Sequence, residues 1–141
     1  MIMGISIREG AKLPEFVRQV SQEDIDRYAE ASGDHNPIHI DEAFAATTPL
    51  KGTIAHGMLV LAFISEMLVR AFGDVWDESG RLSVKFRSPA RPGDFLTVSG
   101  EVVSLVEESD IVLATCSLVC CNQSDEAVVS GEARVRVPVS L

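Results

Sequence analysis

The run from Ile54 to about Phe72 constrains the fold more than any other stretch of the chain. It reads as one long helix. Its apolar residues, among them Met58, Leu59, Val60, Leu61, Phe63, Ile64, Met67 and Leu68, lie nearly all round the axis. A helix without a polar face has to be covered on most sides. The sequence then changes period. Leu82, Val84 and Phe86 alternate with Ser83, Lys85 and Arg87, the pattern of a half-buried strand. Phe95–Leu105, Ile111–Cys121 and Ala127–Val137 read as further strands, divided by turns at Arg91–Asp94, Glu107–Asp110 and Asn122–Asp125. Turns this short demand antiparallel pairing of consecutive strands. The expectation is an α+β chain, helices first and an antiparallel meander second, with the sheet curled around the long central helix.

The first half supplies shorter elements. Ile2–Ile7 reads as a short strand, and Lys12–Val17 continues as extended chain. Ser21-Gln-Glu-Asp24 is a variant of the capping box, so a helix opens at Ser21, presents Ile25, Tyr28 and Ala29 as its apolar face, and stops at Ser32-Gly33. Asp41 caps a second short helix that runs to Thr47, and a loop with Pro49 leads to the long helix. With 141 residues, 46% of them hydrophobic, and no repeat or linker, residues 1–141 are expected to form one domain with a sizeable core.

Between the early helices lies Gly33-Asp-His-Asn-Pro-Ile-His39. Gly33 allows positive φ, Pro37 fixes its own φ, and Asn36 is thereby held extended. A loop stiffened in this way can aim Asp34 and His39 at one point. A carboxylate and an imidazole that share a water form a general acid/base pair. Each residue also has an ordinary reading: Asp is frequent in turns after helices, and a single His in a loop is usually solvated. Gly57, at the start of the long helix, is either a tolerated glycine or a backbone N–H free to meet a carbonyl oxygen that gains charge. Lys85, Arg87 and Arg91 form the densest basic cluster, either surface charge or a phosphate site. A metal site from Asp34, His35, His39 and Asp41 matches on ligand type alone, and none is expected.

The motif Gly-Asp-His-Asn-Pro-Ile-His at 33–39, with Asp41, the Ala-Phe-Ala-Ala of 43–46 and the Ala-His-Gly-Met of 55–58, resembles the MaoC-like, (R)-specific enoyl-CoA hydratases over about 40 residues. The resemblance implies a hot-dog fold and reversible addition of water to a trans-2-enoyl thioester. It assigns Asp34 and His39 as the catalytic pair and places Gly57 at the thioester oxygen. It makes Ser65 a hydrogen-bonding support of the catalytic groups, and it implies a homodimer. In that setting Asn36 fixes the loop, His35 has no role, and His56 is structural or capping. The partner is then a coenzyme A or acyl carrier protein thioester. Coenzyme A belongs to the substrate, so no separate cofactor is expected. A thioesterase on the same fold and a non-catalytic acyl-thioester-binding subunit are the other classes. Chain length, carrier, direction, and which of Asp34 and His39 is acid or base stay open.

Net charge of −9 argues against nucleic acid and anionic membrane as partners. It also works against an anionic coenzyme A, so a local basic patch is required, and Lys85, Arg87 and Arg91 would supply it. Cys116, Cys120 and Cys121 lack metal or redox spacing and read as small buried residues on a strand. Free thiols, no signal-like N-terminus and no apolar run long enough to span a bilayer give a soluble, cytoplasmic expectation.

Overall fold

A computed structural model describes residues 7–139. The strand expected at 2–7 lies outside the described residues, apart from Ile7. The elements are β1 (Phe16–Gln19), α1 (Gln22–Ser32), α2 (Pro37–Ile40), α3 (Glu42–Ala46), α4 (Gly57–Phe72), α5 (Asp74–Ser79), β2 (Arg81–Phe86), β3 (Phe95–Glu108), β4 (Ile111–Cys121) and β5 (Ala127–Pro138). The strands form one antiparallel sheet in the order β1-β3-β4-β5-β2. This is the α+β, hot-dog arrangement expected from the sequence. The inward residues of the sheet alternate, as in Ala114, Cys116, Leu118 and Cys120 of β4. They share one core with Leu59, Val60, Phe63, Ile64, Met67, Leu68, Ala71 and Phe72 of α4.

Several expectations need correction. The consecutive strands β2 and β3 do not pair: β2 lies against β5, at the far side of the sheet from β3. The segment between them is a crossing, not a hairpin turn. It passes under the start of α4, where Ala55 N–H donates to Ala90 O at 2.8 Å, and it reaches β1, where Gly93 N–H donates to Val20 O at 2.6 Å. The long helix begins at Gly57 instead of Ile54: Ile54 and Ala55 donate their amides to Ile38 O and Ala90 O, and Ile54 O faces a side chain, His39 Nδ1 at 2.8 Å, where a helical carbonyl would accept an amide four residues on. It is also not covered all round: Met58 is 61% exposed, and Ala62 and Val69 lie on the same open side. Phe86, expected to face inward with Leu82 and Val84, is 57% exposed. The short helix α5, which buries Trp76, is an addition to the elements expected from the sequence.

Other elements follow their sequence signals. Ser21 and Asp24 form a reciprocal capping box on α1, and Gly33 closes it at φ 79° with its N–H on Ala29 O. A left-handed residue after a helix is most easily a glycine. Asp41 caps α3 by accepting from Phe44 N–H at 3.0 Å. Cys116 and Cys120 are buried on β4 and Cys121 is half-buried. Among the described residues, no helix is long and apolar enough to cross a membrane.

Candidate active site

The loop after α1 is built from its own side chains. Asp34 Oδ1 accepts the Asn36 N–H, and Asn36 Oδ1 accepts the Ile38 N–H at the start of α2, each at 3.2 Å. Asn36 thus caps α2 with its side chain. Pro37 occupies the first turn of α2, where a missing N–H costs nothing. This single short turn carries His39 inward while Asp34 stays at the surface. The His39 side chain is 9% exposed and the Asp34 side chain 55%.

His39 is held by its ring. Its Nδ1 lies 2.8 Å from Ile54 O. A carbonyl only accepts, so Nδ1 carries the proton and, in the neutral ring, the lone pair sits on Nε2. Nε2 faces Asp34 Oδ2 at 3.9 Å. That is too long for a direct hydrogen bond, and it leaves room for one water at about 2.8 Å from both atoms. Two acceptors bind such a water through its hydrogens and leave its oxygen lone pairs free.

Sequence reasoning missed the supports around this pair. Thr53 is buried. Its hydroxyl donates to Gln22 Oε1 at 2.7 Å and lies 3.0 Å from Glu42 Oε2, which also accepts the Thr53 N–H at 3.1 Å. Gln22 in turn donates to His39 O at 2.8 Å. These contacts tie α1, α3 and the segment before α4 to α2, which carries His39. His56 is buried and makes no side-chain cap on α4; its Nε2 donates instead to Asp34 O at 3.0 Å. Its ring stacks on His39, centroids 3.8 Å apart, and the Tyr28 ring lies tilted 56° to it with centroids 4.8 Å apart. The role expected of His56 is thus structural, not capping. Nothing in the sequence flags Thr53 or Gln22, since both bonds join residues far apart in the chain.

Gly57 is the first residue of α4. The Leu59 and Val60 amides turn back to His56 O, while among the described residues the Gly57 N–H meets no acceptor. A free N–H at a helix start combines a donor with partial positive charge. Gly57 lines a cleft of ≈ 400 Å³ together with Leu50, Ile54, Val60, Phe86, Arg87 and Val128. Of the basic cluster, only Arg87 lines this cleft, and its Nε donates to Ser130 Oγ at 2.9 Å. Lys85 is exposed on β2. Arg91 turns toward Gly52 beside Glu42, so the structure does not gather the three at one spot. Ser65 lies half-buried two turns along α4 and, among the described residues, makes no hydrogen bond to Asp34 or His39. His35 pairs with Glu30 at the surface at 3.0 Å, and that bond raises its pKa.

Asp34, His39 and His56 bring possible metal-ligand atoms within 4.8 Å of one another. The two rings stack at 25°, and His56 Nε2 is already spent on Asp34 O.

Residues 9–117 match the family model described as the MaoC like domain. The chain belongs to the MaoC-like family. A 3-hydroxybutyryl-CoA dehydratase from Methylorubrum extorquens is 37% identical over 121 residues, covering 86% of this chain and 75% of that one. An (R)-specific enoyl-CoA hydratase from Rhodospirillum rubrum is 36% identical over 132 residues, covering 94% and 89%. Among solved structures, the (R)-hydratase from A. caviae involved in PHA biosynthesis superposes with a TM-score of 0.80 at 32% identity, covering 94% of this chain and 98% of that one. The MaoC-like chain thus aligns with most of each of these proteins and shares the fold of the solved hydratase.

Proposed function

We infer that this chain is an (R)-specific enoyl-CoA hydratase, a hydro-lyase that adds water reversibly to trans-2-enoyl thioesters. The observation that carries the mechanism is the pairing of His39 Nε2 and Asp34 Oδ2 across a water-sized 3.9 Å gap, with the His39 tautomer fixed by Ile54 O. Water held between the two acceptors attacks C3 of the enoyl group while one of its O–H bonds gives its proton to the pair. The π electrons move toward the thioester oxygen, which takes the Gly57 N–H. One oxyanion donor of this kind is worth about 10²–10³ in rate. The proton delivered to C2 is the one taken from water, so the pair ends as it began. The Asp34 carboxylate stabilises the His39 imidazolium formed in between. Dehydration runs the same steps backwards.

Incubation with crotonyl-CoA tests this reading. Enoyl absorbance should fall without release of free thiol. Thiol release would indicate a thioesterase, and no change in either signal would indicate a binding subunit. Arg87, at the mouth of the Gly57 cleft, is the favoured contact for the coenzyme A phosphates, with Lys85 and Arg91 as secondary charge. A cytoplasmic location belongs to the same reading, since that is where a coenzyme A thioester would be met. The reading also includes a homodimer. Its support is the unpaired outer edge of β2 and the exposed Met58, Ala62 and Val69 on α4, which a second copy would cover. Sedimentation equilibrium should give twice the monomer mass; a concentration-independent monomer would remove the dimer.

A further inference from the structure

Gly57 sits at a helix start with ordinary helical geometry, a position any small residue can occupy without backbone strain. Space, not conformation, is what a side chain at 57 would contest. A Cβ at 57 would stand 2.8 Å from Cε1, 3.1 Å from Cζ and 3.4 Å from Cδ1 of Phe86. The Phe86 ring therefore lies directly against the Gly57 Cα, beside the unpartnered N–H. It does so while remaining 57% exposed and outside the core, so core packing does not account for it. Its backbone is well held: Phe86 pairs with Val129, and the next amide, Arg87 N–H, donates to Val128 O at 2.8 Å. The ring is thus presented by a fixed strand end to the same cleft that Gly57 lines. A phenyl ring offers no hydrogen bond. It keeps water from one side of the N–H and offers a flat apolar surface to a thioester sulfur and its neighbouring carbon.

We propose that Phe86 is a positioning residue for the hydration reaction: its ring is the side wall that seats the thioester carbonyl on the Gly57 N–H, and a side chain at 57 would push that wall out of place. This rests on the hydratase reading and adds to it a residue that acts through substrate placement. The far end of a phenyl ring swings easily. Gly57→Ala should therefore leave the fold intact, displace the ring, and lose alignment of the carbonyl.

The test is a double-mutant cycle on crotonyl-CoA hydration with wild type, Gly57→Ala, Phe86→Ala and the double variant, each checked by circular dichroism and melting temperature. Phe86→Ala should lower kcat by about tenfold, a misplaced-substrate effect, with a smaller change in KM. Gly57→Ala should lower kcat by about tenfold or more in the wild-type background, a loss on the scale of a weakened oxyanion contact. In the Phe86→Ala background the same change should cost less than about twofold, because coupled residues are not additive. Phe86→Tyr, which keeps the ring, should recover most of the turnover. A Gly57→Ala cost that is equal in both backgrounds, or a Phe86→Ala enzyme as active as wild type, overturns the proposal. Coupling seen only in melting temperature, with kcat unchanged, makes the contact merely structural and also overturns it. Failure of the hydratase reading has a different signature: the wild type itself leaves crotonyl-CoA unchanged, and both ideas fall together.

Discussion

Asp34→Asn separates chemistry from architecture better than any other change in this molecule. The carboxylate makes two contacts of different kinds. Oδ1 accepts the Asn36 N–H at 3.2 Å, and an amide oxygen can keep that bond. Oδ2 faces His39 Nε2 at 3.9 Å from a side chain that is 55% exposed. A half-exposed carboxylate 3.9 Å from a neutral imidazole contributes no more than a surface ion pair does, about 0–1 kcal/mol, so the variant should fold with at most that loss. Its effect on the reaction is far larger. The amide cannot accept a proton, and its NH₂ group presents donors where the attacking water needs an acceptor. The imidazolium formed at His39 also loses its counter-charge. Removing a general acid/base group costs about 10²–10⁴ in rate, which is roughly 2.7–5.4 kcal/mol of barrier. The barrier change should thus exceed the stability change several-fold. Urea denaturation gives the stability change, and initial rates of crotonyl-CoA hydration give the barrier change. If the Asp34→Asn enzyme keeps more than about a tenth of wild-type turnover, against the expected acid/base loss, the carboxylate is a turn residue and the assignment is wrong.

Further outcomes follow from the same geometry. His39→Ala, checked for folding because the ring is buried, should lose activity on the scale of Asp34→Asn, and the double variant should be hardly slower than the worse single one; multiplied losses would mean the two groups act independently. Arg87→Ala should raise KM for a coenzyme A thioester more than for the matching pantetheine thioester while kcat holds, and Arg91→Ala should do less, since only Arg87 lines the cleft; equal KM changes for both carriers would place the phosphates elsewhere. Burial pushes the Cys116 thiol up to about 11 and the Cys120 thiol up to about 12, and burial with the nearby Asp125 charge raises Cys121. At pH 8 all three are therefore mostly protonated. Iodoacetamide should reach half-buried Cys121 first, leaving the other two unlabelled until denaturant is added; fast labelling of Cys116 in the native protein would contradict the burial.

The legible parts of the fold are those written in local chemistry. Ser21 and Asp24 announce α1, Gly33 its end, and Asp41 the start of α3, because each cap is a bond between residues a few positions apart. Strand alternation places β3, β4 and β5 closely. The order of strands is not legible. Arg91-Pro-Gly-Asp94 looks like a hairpin turn, and Gly93 does turn there at φ 94°. Yet the chain uses that turn to join β1, after crossing beneath α4 by way of the Ala55–Ala90 bond. That choice depends on tertiary hydrogen bonds that no local period encodes. The exposed side of α4 has the same origin. Its apolar composition is real, but one copy of a five-stranded sheet covers only part of a cylinder.

The candidate site divides along the same line, and the division explains how the chemistry is set up. Residue types and spacing point to Asp34, His39 and Gly57. They leave open which nitrogen of His39 is available, and so how a water could be held. The answer comes from Ile54, whose carbonyl is free for the imidazole only because α4 starts at Gly57 and leaves 54 outside the helix. The late helix start that corrects the sequence reading therefore has two consequences at once. It fixes the His39 tautomer from one side, and it puts an unpaired Gly57 N–H on the other. A helix that began at Ile54 would bury both the carbonyl and the amide in its own ladder, with no acceptor to orient the base and no donor for the developing enolate.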